Sequence, residues 1–181
     1  MKIIQHVFDR TDLVILAVLQ QEGRLTNAEL AERVNLSASA CLRRVQRLEV
    51  DGVIGGYAAR VSPGAVGLGL QAFVRVQLRS HDAETVQTFV ERVDAWNDVV
   101  ACHALTGDMD YLLHVVVEDL DHFSRFLLDH LLNDSGVADV NSSFVLRTVK
   151  HERALPLAHL VEPPRRARQA LPKGSGRRKS R

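Results

Sequence analysis

The stretch from Leu30 to Leu48 constrains the fold more than any other part of the chain. Helical periodicity in Leu30-Ala31-Glu32-Arg33-Val34 stops at Asn35-Leu36-Ser37 and restarts at once in Ala38-Ser39-Ala40-Cys41-Leu42-Arg43-Arg44-Val45-Gln46-Arg47-Leu48. Two helices must therefore meet across a tight turn. At about 100° per residue, Cys41, Leu42, Val45 and Leu48 share one sector of the second helix. Ser39, Ala40, Arg43, Arg44 and Arg47 fill the opposite sector. One face can pack, and the other offers positive charge and small polar groups. An element lying in a DNA major groove needs that surface. Ser37 is placed to cap the second helix, where free backbone N–H groups favour phosphate. Ser37, Ser39, Ala40, Arg43, Arg44 and Arg47 are thus the candidate DNA contacts. Arg44 lies nearest the packing boundary and is the least suited of them to read a base.

The flanks of this motif read consistently with it. Asp9 to Gln20 forms a first helix with an apolar stripe of Phe8, Leu13, Leu16, Ala17 and Leu19, capped by Asp9 or Thr11. Thr26 and Glu29 have the spacing of a capping box and start the second helix. Asp51-Gly52 ends the third. Val53-Ile54 and Tyr57-Ala58 suggest short extended pieces, as in a winged helix. Pro63-Gly64 and Gly67-Leu68-Gly69 mark a linker.

Beyond the linker the period changes. Strands are expected at Leu70–Leu78, Val99–Thr106, Asp110–Val117 and Val137–Val149. Helices are expected at Ala83–Val93 and Leu120–Leu132. The order β-α-β-β-α-β is the ferredoxin-like split motif. The fold class is α+β: a helix-turn-helix domain over 1–60, a linker over 61–69 and a βαββαβ domain over 70–157. After Pro156 periodicity disappears, and residues 158–181 have the composition of a disordered basic tail.

Charge separates these parts. The formal net charge of +1 hides +1 over residues 1–60, −7 over 61–161 and +7 over 162–181. An acidic middle is a poor partner for phosphate, whereas the tail could contact phosphate directly or lie on the acidic domain of a neighbouring subunit. Two cysteines make no disulfide framework. No apolar run approaches the roughly 20 residues of a membrane span, and the start of the chain lacks the features of a secretion signal. A cytoplasmic protein with no membrane contact is expected.

Catalytic and metal chemistry find little support. The eight histidines are scattered. His103 and His114 fall on two strands of one hairpin, yet no third or fourth ligand joins them at a metal-site spacing. Cys102 and His103 are adjacent on a strand and point to opposite faces, which opposes a nucleophile–base pair. No glycine-rich phosphate loop follows a strand. No cofactor, metal or catalytic residue is expected. Trp96 reads as a core or interface residue.

The chain resembles the Lrp/AsnC (leucine-responsive, feast/famine) family of transcription regulators over residues 8–157. Three stretches carry the likeness. The first runs from Asp9-Arg10-Thr11-Asp12 through Arg47-Leu48-Glu49 to Gly52-Val53-Ile54-Gly55-Gly56-Tyr57. The second is Cys102-His103-Ala104-Leu105-Thr106-Gly107-Asp108-Met109-Asp110-Tyr111-Leu112-Leu113. The third is Gly136-Val137, Ser142-Ser143-Phe144 and Val149-Lys150. It runs into Ala154-Leu155-Pro156-Leu157, which looks like the branch holding regulators of branched-chain keto-acid dehydrogenase operons.

The resemblance implies binding to double-stranded DNA, control of amino-acid metabolism genes and no catalysis. It implies homodimers through the C-terminal domain that assemble into tetramers or octamers. It also implies an amino-acid effector, leucine or another apolar one, bound in that domain at subunit interfaces. The loop Thr106-Gly107-Asp108-Met109-Asp110 would border the effector pocket. Backbone N–H groups at Gly107 could hold an α-carboxylate, Asp108 or Asp110 an α-ammonium, and Ser142 and Ser143 could add hydroxyl contacts. Read without the resemblance, the same loop is a polar hairpin turn, and both serines are surface strand residues. Two other classes compete: an amino-acid sensor acting without DNA, which the intact helix-turn-helix opposes, and an enzyme on the ferredoxin-like domain, which the missing catalytic set opposes.

Overall fold

A computed structural model describes residues 8–151 and 154–161. The described residues divide into two compact units, one of residues 8–58 with 154–161 and one of residues 59–151.

The first unit is helical: α1 (Arg10–Leu19), α2 (Asn27–Arg33) and α3 (Ala38–Val50). Capping sets where each begins. Asp9 accepts from the Asp12 N–H at 2.8 Å while the Asp12 carboxylate accepts from the Asp9 N–H at 3.2 Å, a reciprocal box. Thr26 and Glu29 close a second box on α2. Ser37 caps α3 by accepting from the Ala40 N–H. The turn between α2 and α3 runs through Asn35 at φ 53°, a left-handed position that asparagine tolerates better than most residues. Ile15, Leu30, Ala31, Cys41 and Leu48 form the core, with Leu36 and Val45 packed on it.

Two expectations for this unit change. Leu42, placed in the packed sector, is 43% exposed. The extended pieces at Val53-Ile54 and Tyr57-Ala58 pair into no strand. Gly52 at φ 69° turns the chain back, and the Val53 and Ile54 N–H groups both donate to the Leu48 carbonyl at the end of α3. Their side chains pack on the helical core instead of on a partner strand.

The second unit is a four-stranded antiparallel sheet of β1 (Leu70–Leu78), β2 (Val99–Ala104), β3 (Tyr111–Val117) and β4 (Val137–Phe144), in the order β2-β3-β1-β4. The helices α4 (Ala83–Asp94) and α5 (Leu120–Phe126) complete the split βαββαβ motif. Ala72, Val74, Val76 and Leu78 alternate onto the buried face of β1 and join Leu113, Val115, Phe89, Phe123 and Phe126 in one core. The helix expected to run unbroken to Leu132 widens into a π-helical turn over Leu127–Leu132. A regular α-helix would turn Leu131 about 140° away from Phe126. The wider turn lets both side chains be buried.

Segment ends also differ from expectation. β2 stops at Ala104 and β4 at Phe144, so Val149 is left exposed. The supposed linker is partly built in: Pro63–Val66 forms a 3-10 turn, and the Gly69 N–H donates to the Glu118 carbonyl. Residues 154–157, expected to finish the second unit, group with the first. Ala158–Val161 forms a short helix, α6, where disorder was expected. The physical reason is the hold of α1 on Leu155, described below. The rest of the expected tail, 162–181, lies outside the described residues. Among the described residues no helix is long and apolar enough to cross a membrane.

Candidate nucleic-acid interface and ligand loop

α3 presents its N-terminal turn and one flank to solvent. Ser37, Ser39 and Arg43 are exposed, and Ala40 is half-buried beside them. The Ser37 and Ser39 hydroxyls lie 3.4 Å apart. Asn27 at the start of α2 donates from Nδ2 to the Ala38 carbonyl at 2.8 Å, which fixes the two helix starts together.

The three arginines of α3 have different surroundings. Arg44 Nη1 donates to Asp9 Oδ2 at 2.7 Å and to Asp12 Oδ1 at 2.8 Å. Arg47 Nη2 donates to Asp12 Oδ2 at 2.6 Å. Asp12 is buried, with 1% of its side chain exposed, and both of its oxygens are taken. Charge-assisted bonds of this kind satisfy an ion that burial would otherwise penalise. The Asp12 N–H and the Arg44 guanidinium together hold the Asp9 carboxyl below its usual range. Asp9 and Asp12 likewise raise Arg44, which stays charged. Arg44 therefore braces α3 against α1 through Nη1, with 29% of its side chain exposed. Arg47 is tied at one end yet half exposed, with guanidinium donors to spare. Arg43 has no carboxylate partner among the described residues and is the least restrained of the three. Sequence reasoning saw Asp9 as a cap and missed Asp12 as a brace. The Asp9-x-x-Asp12 box was the available signal.

The candidate ligand loop lies between β2 and β3. Thr106, Gly107 and Asp108 are exposed on one hairpin, and Gly107 takes φ 120°, which a side chain would strain. Asp110 serves the fold. Its Oδ2 accepts from the Leu78 N–H at 2.7 Å, and its Oδ1 lies 2.7 Å from His81 Nε2. Burial pushes the Asp110 carboxyl upward, but the Leu78 N–H and His81 outweigh it and leave it below its usual range. Both oxygens are engaged, which leaves Asp108 as the more available carboxylate. Ser142 and Ser143 do not share a face. Ser142 pairs with Val74, whose side chain enters the core, and Ser143 with Phe73 on the other side of the sheet. The hairpin base is level with Val76, whose β4 partner is Val140. A single protomer thus keeps the loop and the two serines on different parts of the sheet.

His103 and His114 do not face each other. His103 pairs with Leu112 and His114 with Ala101, and His114 stacks on Phe73 at 4.7 Å. Among the described residues no three His, Cys, Asp or Glu side chains converge as metal ligands would.

A capped, arginine-bearing α3 in one unit and a split βαββαβ unit following it in sequence fit a class: transcription regulators that read DNA with one part and a small ligand with another. Residues 8–54 match the model of the winged helix-turn-helix DNA-binding domain, and residues 71–155 that of the Lrp/AsnC ligand binding domain. The chain is 38% identical over 148 residues to the leucine-responsive regulatory protein of Rhizobium meliloti, covering 82% of this chain and 95% of that one. It is 40% identical over 149 residues to the Bkd operon transcriptional regulator of Pseudomonas aeruginosa, covering 82% and 97%. It is similar in structure, at TM-score 0.81 and 52% identity, to a transcriptional regulator of Neisseria meningitidis solved with L-methionine, covering 84% and 99%. The chain belongs to the Lrp/AsnC family. It is a DNA-binding transcription regulator with a ligand-binding domain.

Proposed function

We propose that this regulator works in the cytoplasm on amino-acid metabolism genes and answers to an apolar amino acid, leucine or methionine among them. The observation that carries this reading is the likeness to the Neisseria regulator solved with L-methionine, at 52% identity. In our reading Ser37, Ser39, Ala40, Arg43 and the free edge of Arg47 meet DNA, while Arg44 holds the helix in place. Thr106, Gly107 and Asp108 bind the charged α-groups of the effector, with Ser143 contributing from a second protomer.

The sheet face opposite the helices supports a dimeric reading. Phe73, Leu112 and His114 lie on this face, opposite the helices, and Phe73 is 39% exposed. Apolar sheet faces are normally covered. Two protomers joined there would offer two α3 helices to one duplex, and two or four such dimers would give tetramers or octamers. The effector then acts by linkage: it shifts DNA occupancy only by as much as it prefers one arrangement of subunits over another.

The test is a thermal-shift series with the twenty amino acids, followed by gel shift on the chain's own upstream DNA with each hit. A ligand specific to the native state raises the apparent melting temperature. An apolar amino acid should do so and change operator affinity. A series in which none stabilises the protein, or in which the stabilising ligand leaves operator affinity unchanged, would refute the effector assignment.

A further inference from the structure

Residues 154–160 form a strap along the DNA-binding unit. Gln20, at the C-cap of α1, accepts from the Leu155 N–H at 2.5 Å through Oε1, and its Nε2 lies 3.5 Å from the Leu155 carbonyl. One side-chain amide thus meets both backbone groups of one residue, as a neighbouring strand would. Leu157 is half-buried. With Leu155 and Leu160 it lines a groove shared with Leu16, Leu19 and Tyr57. The hold is light, because Leu155 stays 72% exposed and Leu160 40% exposed. An element with so few buried apolar contacts opens at low free energy. The chain leading to the strap is held by little else. β4 ends at Phe144, and the Val145 N–H still donates to the Gln71 carbonyl of β1. Residues 146–151 are then exposed throughout.

We propose that the docked strap is the resting state of a switch: effector binding to the ligand-binding unit favours its release from α1, and release changes how tightly α3 holds operator DNA. The inference rests on the DNA and effector roles proposed above. Its input is β4, which carries Ser143 one residue before its end and continues in sequence into the strap. Its output is α1. The strap grips the C-terminal end of that helix, and Asp9 and Asp12 at the other end hold Arg44 and Arg47 of α3. The strap is tethered to the unit that would move it, so docking is intramolecular and a contact too weak to hold a free peptide suffices. A ligand shifts a two-state element only by its preference for one state. A strap that rests docked can answer only by release, so an effector acting through it must favour the released state. Loosening the strap by mutation must then imitate the effector. It must also tighten effector binding, because the state the effector prefers is populated in advance. The two effects are bound together, since coupling between binding sites is reciprocal.

The experiment measures affinity for the chain's own upstream DNA by fluorescence anisotropy, with and without saturating L-methionine and, in parallel, L-leucine. Isothermal titration gives the affinity for each amino acid. Three variants are set beside the intact chain. Gln20→Ala with Leu157→Ala removes both holds on the strap. Leu155→Pro removes the strap's own N–H donor and leaves α1 untouched, so a double variant that fails to fold does not end the test. Leu157→Met keeps the volume in the groove and is the conservative control. In the intact chain the amino acid should change operator affinity by about 5–150-fold. Without amino acid, the two loosened variants should already have moved operator affinity by about threefold or more in that same direction. They should bind the amino acid about twofold or more tightly than the intact chain does. Their remaining response to it should shrink in proportion. Leu157→Met should behave as the intact chain does. Unchanged operator affinity in a folded loosened variant would overturn the switch. So would a shift opposite to the amino acid's own, or an undiminished response. An intact chain that binds neither amino acid, or binds one with no effect on operator affinity, would refute the effector reading and the switch with it. Absence of operator binding by the intact chain would instead refute the DNA reading.

Discussion

Asp12 and Arg47 meet at 2.6 Å across the α1–α3 contact, one buried and the other half exposed. The same carboxylate takes Arg44 on its other oxygen. A helix whose charged face looks free is thereby anchored by two of its three arginines. The aim of α3 is set by a carboxylate on another helix.

Asp12→Ala should cost about 1–3 kcal/mol of stability, since it removes a buried acceptor of three hydrogen bonds and leaves two cations without it. The solvent exposure of both arginines keeps the cost below that of a fully buried pair. Operator affinity should fall as well, because α3 loses its brace. Urea unfolding followed by far-UV circular dichroism reads the first effect and gel shift the second. A variant as stable as the parent would rule out the brace.

Arg43→Ala and Arg44→Ala should separate. Arg43 is exposed with no carboxylate partner among the described residues, so its loss should leave stability within about 0.5 kcal/mol. Operator affinity should drop by about 1–3 kcal/mol if Arg43 reads a guanine edge. Arg44→Ala should lower the melting temperature. The reverse pattern in paired melting and gel-shift experiments would mean that the roles are exchanged.

Asp108→Ala and Asp110→Ala make a similar pair in the ligand-binding unit. Removing Asp110 strips the Leu78 N–H and His81 of a partner and should destabilise the unit by about 1–3 kcal/mol. Removing the exposed Asp108 should leave folding intact and weaken effector binding. Isothermal titration with the amino acid found by thermal shift gives the comparison. Undiminished affinity in the Asp108 variant would remove that residue from the site.

Acid should weaken the fold through the carboxylates held below their ordinary range. Asp9 and Asp110 both titrate lower in the folded chain than the reference value of 3.8. The unfolded chain therefore binds protons first as pH falls. The stability these groups contribute is complete above about pH 5 and is lost progressively as pH drops through 4 and below. Asp110→Asn should flatten part of that loss. Urea midpoints at pH 6, 4 and 3 test it, and a variant with the parent's full pH dependence would show that Asp110 plays no part.

Much of the molecule was legible in the chain itself. Caps at Asp9, Thr26 and Ser37, the turn at Asn35 and the alternation of β1 are local signals, and local chemistry fixes them wherever the chain goes. The βαββαβ order follows from the same kind of reading. Three things were decided only by tertiary contact. Arg44 and Arg47 share a sector with Arg43, and only the approach of α1 ties the first two to carboxylates more than thirty residues away. Asp110 reads as a polar turn residue until β1 comes alongside and presents the Leu78 N–H. Residues 154–160 follow the last strand in sequence but rest on the first helix, because Gln20 offers both a donor and an acceptor to Leu155 across 135 positions. Periodicity and capping report neighbours within a turn or two. A partner brought in by the fold leaves no such trace, so the chain specified its elements, and packing chose which charges were free to meet a ligand.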